Sequence, residues 1–327
     1  MTASDDDVVT DIPEQRGPRY AAIDCGTNSI RLLIVEKLPD HAEPVEVTRQ
    51  LRLVRLGEGV DLNREFTSAA LERTFAAIDE YANIIDEHEV TATRFVATSA
   101  TRDVSNRDEF EQGVFERLGV GIDVIDGREE AELSFTGAVT NVRSQHVAPF
   151  LVIDIGGGST EFVLGDSEVE YARSVDIGCV RMTERHLQSD PPLGWECSAA
   201  TKDIDAAIID ALADVPAQRA NTVVGVAGTV TTVAAIALEL KVYDSADIDG
   251  ATISHAQVDE VSQRLLEMTR QERLALPGVE PGRVDVIGGG ALILKRIMDL
   301  LGVDQLVVSE HDILDAIAWR LAADHTG

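Results

Sequence analysis

Two short stretches of this chain repeat one arrangement of an acid, a glycine and a hydroxyl. Asp24, Gly26 and Ser29 form the first and Asp154, Gly156 and Ser159 the second, each inside an Ile-Asp-x-Gly-x-x-Ser frame, offset by 130 residues. Thr27 and Asn28 fill the first frame; Gly157 and Gly158 fill the second, which Thr160 extends. Such segments suit phosphate. Glycine lets the backbone turn tightly and come close, while successive N–H groups and hydroxyls donate to anionic oxygens. The carboxylates of Asp24 and Asp154 would repel a bare phosphate, so they make sense with a divalent cation between them. Magnesium suits them, because it takes hard oxygen ligands, keeps several waters and contacts only one or two carboxylates. A lone frame of this kind is more often a tight structural turn. Two in the same order, each followed by an apolar strand, point to two related domains facing each other across a phosphate site.

Further charged residues stand near these frames. Glu129 and Glu130 open a helix just after Gly127, where acids either complement the helix dipole or reach into a cleft. Arg102 follows a strand and a short turn, and Glu161 lies at the far end of the second hairpin. Read together, four motifs resemble the exopolyphosphatase and guanosine pentaphosphate phosphohydrolase family of the actin-like ATPase superfamily. They are Asp-Cys-Gly-Thr-Asn-Ser (24–29), Ala-Thr-Ser-Ala-Thr-Arg (97–102), Gly-Arg-Glu-Glu-Ala (127–131) and Asp-Ile-Gly-Gly-Gly-Ser-Thr-Glu (154–161), and the likeness spans roughly residues 19–321.

The resemblance implies an α/β protein of two actin-like (ribonuclease H-like) domains whose interdomain cleft hydrolyses a terminal phosphate. It makes Glu130, the second glutamate of its motif, the group that activates the attacking water, and leaves Glu129 as a solvated neighbour. Arg102 would hold the transferring phosphate bidentately. Asp154 and Glu161 become the metal-side carboxylates, with Asp24 sharing the ion or orienting water, and the ion is Mg²⁺ with Mn²⁺ as an alternative. The expected substrate is inorganic polyphosphate. Short chains are favoured, because longer members of the family carry an extra C-terminal helical domain that this chain ends too soon to hold. Guanosine pentaphosphate is the alternative substrate, although no motif reads guanine.

Two more glycine turns, at 223–229 and 286–291, keep open a kinase or a nucleotide or phosphate sensor, and close helix packing explains either equally well. Arg181 and Arg283 flank these turns as holders of distal phosphates or as plain salt-bridge partners. Seven histidines without HxxxH or HxH spacing give no support to a histidine metal site or a Ser/His/Asp triad. Cys25, Cys179 and Cys197 lack CxxC spacing, so neither a disulfide framework nor a zinc site is indicated, and a reducing cytoplasm is the expected setting.

The elements that must position these residues follow from apolar periodicity. Extended runs at 20–24, 30–35 and 45–56 form a meander, and apolar residues three and four apart predict a helix over 68–87. A strand at 94–98, a helix at 107–118, a strand at 121–125 and a helix at 128–141 complete the first alternation. Strands at 149–155, 160–164 and 169–174 then restart the order. Helices at 180–187, 199–213, 229–240, 257–268 and 284–301 alternate with strands at 222–226 and 305–308. Ser309 is placed to cap a last helix that packs back on the first domain. The division is an acidic tail over 1–18, a first domain of 19–132 plus 309–327, and a second of 133–308. Residues 188–197 read as an ordinary connection or a lid.

Composition bounds the partners. With 58 acidic against 28 basic residues the net charge is −30, which argues against nucleic acid and anionic membranes as partners. No segment approaches the ~20 apolar residues of a membrane helix. Only four of the 28 basic residues are lysine, so arginine supplies the cationic chemistry, whether for phosphate or merely through codon bias or salt adaptation. A homodimer is the expected assembly.

Overall fold

The computed structural model describes residues 16–39, 41 and 43–325. Its strands are β1 (Arg19–Cys25), β2 (Ser29–Glu36), β3 (Val45–Leu53), β4 (Ala92–Ala97), β5 (Ile122–Val124), β6 (Phe150–Ile155), β7 (Thr160–Gly165), β8 (Val169–Val175), β9 (Thr222–Val226), β10 (Thr252–Ser254) and β11 (Gln305–Val308). The helices are α1 (Val60–Asn63), α2 (Ser68–Glu87), α3 (Ser99–Arg102), α4 (Arg107–Leu118), α5 (Gly127–Val142), α6 (Cys179–His186) and α7 (Gly194–Asp214), followed by α8 (Ala227–Ala237), α9 (Ser245–Ile248), α10 (His255–Glu267), α11 (Arg270–Leu274), α12 (Ile287–Leu301) and α13 (Ile313–Asp324).

The strands form two sheets that share a five-strand topology, to which the second adds β10 at its edge. The first runs β3-β2-β1-β4-β5 and the second β10-β11-β9-β6-β7-β8. In each, an antiparallel meander feeds a strand that pairs in parallel with the next crossover strand: β1 with β4, and β6 with β9. The sequence repeat is therefore a repeat of fold. Register matches too, since Asp24 lies opposite Arg31 and Asp154 opposite Glu161.

Apolar faces dictate the layers. Leu71, Ile78 and Tyr81 of α2 and Phe110 and Val114 of α4 are buried against one face of the first sheet. Leu133 of α5 and Ile313, Leu314, Ile317 and Leu321 of α13 cover its other face. Ala131, Phe135, Ala138 and Val142 of α5 also close one face of the second sheet, and helices including α7, α10 and α12 cover the opposite face. Each fully buried aliphatic side chain here stabilises by roughly 1.5–3 kcal/mol. The foreseen boundary at 132/133 thus falls inside one unbroken helix that belongs to both cores. Gly137 lets α5 and the start of α13 meet: a Cβ there would lie 1.9 Å from the Asp312 carbonyl oxygen.

Two local expectations change. Ser309 does not cap the last helix; Asp312 does, its Oδ1 accepting from Leu314 N–H at 3.0 Å, while the Ser309 hydroxyl closes a turn with His311. Residues 194–197 belong to α7, where Glu196 accepts from Leu193 N–H at 2.7 Å, so 188–193 is a short connection. The acidic tail lies outside the described residues up to position 15. Among the described residues no helix is long and apolar enough to cross a membrane.

Candidate active site

Both glycine frames fold into the same turn at the end of a buried strand. Gly26 N–H donates to Ser29 O at 2.9 Å, and Gly156 N–H to Ser159 O at 3.0 Å. The carbonyls between are pinned from behind. Thr27 O accepts from Gly57 N–H at 2.8 Å, and Asn28 O from Val54 and Arg55 N–H at 3.1 and 2.9 Å. In the second loop, Gly157 O accepts from Val180 N–H at 2.9 Å, and Gly158 O from Arg181 Nε at 2.7 Å. With the carbonyls held, the N–H groups of Thr27, Asn28, Gly157 and Gly158, which have no acceptor among the described residues, are left for a ligand. The loops nearly touch: a Cβ on Gly158 would lie 2.6 Å from Ser99 Oγ and 2.8 Å from Thr27 Oγ1.

Between the loops lies a cavity of about 80 Å³, whose walls include Asp24, Asn28, Glu130, Asp154 and Arg283. Glu130 arrives from the first turn of α5, which starts where it does because Asp126 Oδ1 accepts from Arg128 and Glu129 N–H, both at 2.9 Å. One turn on, Ser134 donates to Asp154 Oδ2 at 2.5 Å. A single helix face therefore carries one carboxylate and orients another. Asn28 is buried with both side-chain amide atoms unpartnered among the described residues. An amide left so is a ligand-binding group in waiting, since an unpaired buried polar group is costly.

The acids of the site are under electrostatic pressure. Burial raises the Asp24 carboxyl against the opposing pull of Arg31, which bridges Asp24, at 2.6 Å, and Asp312. Burial also raises Glu130, opposed by Arg102, whose Nη1 lies 2.7 Å from Oε2. Asp154 is pushed up to about 7 by burial and by the charges of Asp312 and Glu130. Glu161 rises well above the carboxylate range through burial and the charges of Glu130 and Asp154. So many buried acids, with only Arg31 and Arg102 against them, favour a bound cation. Asp24 Oδ1, buried without a partner, offers it an oxygen. Among the described residues no three His, Cys, Asp or Glu side chains are placed to ligate one metal ion together. The set thus fits an ion that keeps water, as magnesium does, with Asp24 and Asp154 as its carboxylates.

The structure brings together Asp24, Gly26, Thr27, Asn28, Ser29, Glu130, Asp154, Gly156, Gly157, Gly158 and Ser159 on the walls of one cavity. It does not bring Thr160, Glu161 or Arg102 there. Thr160 Oγ1 donates to Ile177 O at 2.5 Å, and Glu161 Oε1 accepts from Ser174 at 2.7 Å, both behind the loop. Arg102 contacts Glu130 and, at 3.0 Å, Ile125 O. Arg181 is a salt-bridge partner, pairing with Asp61 at 2.5 Å and Asp103 at 2.9 Å, whereas Arg283 reaches the cavity. Of the two other glycine stretches, Ala227, Gly228 and Thr229 open α8 and line the cavity, while Gly289 and Gly290 lie inside α12 and not in the expected turn, packed against Thr183 and Thr229. Glu129 is half-exposed beside Arg94. Arg31 and Ser134 escaped sequence reasoning. The repeat itself signals Arg31, because a shift of 130 residues carries Glu161 onto it.

Comparison with known proteins identifies the family. The model of the Ppx/GppA phosphatase family covers residues 33–315. Exopolyphosphatase 2 of Mycobacterium tuberculosis is 49% identical over 93% of this chain and 98% of its own. A solved exopolyphosphatase-like protein is 44% identical and superposes with a TM-score of 0.91, covering 95% of this chain and 99% of its own. An exopolyphosphatase from Cytophaga hutchinsonii is 26% identical with a TM-score of 0.82, over 91% of this chain and 96% of its own. The shared actin-like α/β fold, the paired loops and the family match along most of the chain agree: this protein belongs to the Ppx/GppA phosphatase family.

Proposed function

We propose that the protein is an exopolyphosphatase, hydrolysing the terminal phosphate of inorganic polyphosphate with magnesium. One observation carries the reading: a buried carboxylate, Glu130, faces a cavity bounded by two loops of free N–H groups. The 49% identity to an exopolyphosphatase supports it. Phosphoryl transfer to water asks for positioning and charge neutralisation, with little covalent work by the protein.

The loop N–H groups and Asn28 hold the terminal phosphate, and Arg283 takes the next one. Glu130 accepts the proton of the attacking water. The water oxygen bonds to the terminal phosphorus while the bridging P–O bond breaks, and the departing chain keeps the bridging oxygen and its electron pair. Arg102 acts through Glu130, holding the base in place and favouring its ionised form. Ser134 fixes one oxygen of Asp154, so that the other faces the cavity. Magnesium at Asp24 and Asp154 supplies neutralisation of phosphate charge when bound.

A homodimer in a reducing cytoplasm completes the proposal; three unpaired cysteines support the setting, and light scattering tests the assembly. The activity is tested by phosphate release, with Mg²⁺, from polyphosphates of graded length, guanosine pentaphosphate and ATP in parallel. Release from polyphosphate ahead of the two nucleotides is expected. Turnover of ATP alone, and only with an acceptor present, would overturn the reading.

A further inference from the structure

A substrate chain held by its end must leave the cavity somewhere, and one side is shut. Behind the loops, the gap between the two halves narrows to about 10 Å³, walled by Val60, Asp61, Arg181 and Glu184. Ties across the gap hold it closed. Arg181 and Arg185 both bind Asp61, at 2.5 and 3.0 Å, and Glu184 Oε1 accepts from Gly59 N–H at 3.0 Å.

On the other side the cavity adjoins a second space. Arg31, Ala227, Gly228 and Arg283 wall both the catalytic cavity and a second compartment of about 100 Å³. This compartment has a polarity along its length. Arg31 is neutralised by Asp24 and Asp312, and Arg49 by Asp315 at 2.5 Å and Glu46 at 2.9 Å. Arg283 has only a loose pairing with Glu280 at 3.5 Å, so it presents positive charge where the two spaces join. Farther out stands Glu310, which lines the second compartment and not the first. Its Oε1 accepts from the Tyr243 hydroxyl at 2.5 Å, and among the described residues it makes no salt bridge; burial raises its carboxyl, and the charge of Arg49 opposes that. A polyanion running outward from the catalytic cavity meets Arg283 first and then the Glu310 carboxylate, which has only the more distant Arg49 against it, and like charges brought together in a confined site are strongly disfavoured.

We propose that Glu310, steadied by Tyr243, limits how many phosphates the cleft accepts and so selects short chains; this rests on the polyphosphate reading above. The test compares kcat/KM for tripolyphosphate and for long-chain polyphosphate in the full-length protein at saturating Mg²⁺. Glu310→Gln, which keeps shape and removes charge, is expected to raise the long-to-short ratio by about tenfold. In the wild type that ratio should climb with added salt, because screening weakens the repulsion, and climb less steeply in Glu310→Gln. An unchanged ratio, or parallel salt responses in the two proteins, overturns the assignment. If the wild type turns over neither substrate, the polyphosphate reading itself falls and this proposal with it.

Discussion

Arg102 and Glu130 hold each other at 2.7 Å, and the arginine is anchored in turn on the Ile125 carbonyl. The pair joins the end of α3 to the first turn of α5. Arg102, expected on the transferring phosphate, here contacts the Glu130 carboxylate and opposes the burial that lifts it.

Removing that cation should leave Glu130 harder to ionise. Arg102→Gln is expected to lower kcat by about a hundredfold and to move the acidic limb of the pH–rate profile to higher pH. A fall in kcat with an unmoved limb would place Arg102 on the substrate after all.

Arg31 couples the first phosphate loop to the last helix, bonding both Asp24 and the N-cap residue Asp312. Arg31→Met strands two buried carboxylates, and breaking such a pair costs about 3–5 kcal/mol. Urea unfolding should show that loss as a lower midpoint with little change in slope. A destabilisation below about 1 kcal/mol, the range of an exposed pair, would mean that water already screens these charges.

Ser134→Ala removes the hydroxyl that holds Asp154 Oδ2. Partners of this kind are worth about 10- to 100-fold in metal affinity. Calorimetric Mg²⁺ affinity should weaken by about tenfold or more, while kcat at saturating Mg²⁺ changes far less. Equal losses in both would point to a general loosening of α5.

His311 reports on the docking of α13. Its Nδ1 lies 2.9 Å from Asp315, and that hydrogen bond lifts the imidazole above its ordinary 6.5 despite burial. A raised histidine contributes stability that is fully present below 6.5 and lost as pH climbs through the folded-state value. His311→Gln should therefore destabilise at pH 6 and be close to neutral at pH 9 by urea unfolding. A deficit equal at both pH values would assign the effect to packing against Trp319.

Much of this was legible in the chain, and the reason is locality. The helix over 68–87 and the strands at 222–226 and 305–308 match the structure residue for residue, because periodicity and turn residues act within a few positions. The paired loops were legible because a duplicated motif carries its context with it. What escaped depends on contacts between distant segments. Arg31 meets Asp312 across 281 positions, and no spacing rule reaches that far. The cap moved from Ser309 to Asp312 because the turn at His311 uses the serine hydroxyl first. Glu161 and Thr160 carry the right motif, yet the second hairpin turns them behind the loop, where Ser174 and Ile177 take their polar atoms. The net charge of −30 hid a cleft that offers backbone N–H groups, the Asn28 amide and the loosely paired Arg283 beside one unpartnered oxygen of Asp24.

The central claim is that Glu130 takes the proton of the attacking water and does not hold the substrate. Steady-state phosphate release by Glu130→Gln, set beside calorimetric binding of tripolyphosphate to the same protein, tests it most directly. The account predicts turnover lower by about 10²–10⁴-fold with binding within a few-fold of wild type. Near wild-type turnover, or binding lost in step with turnover, would contradict it.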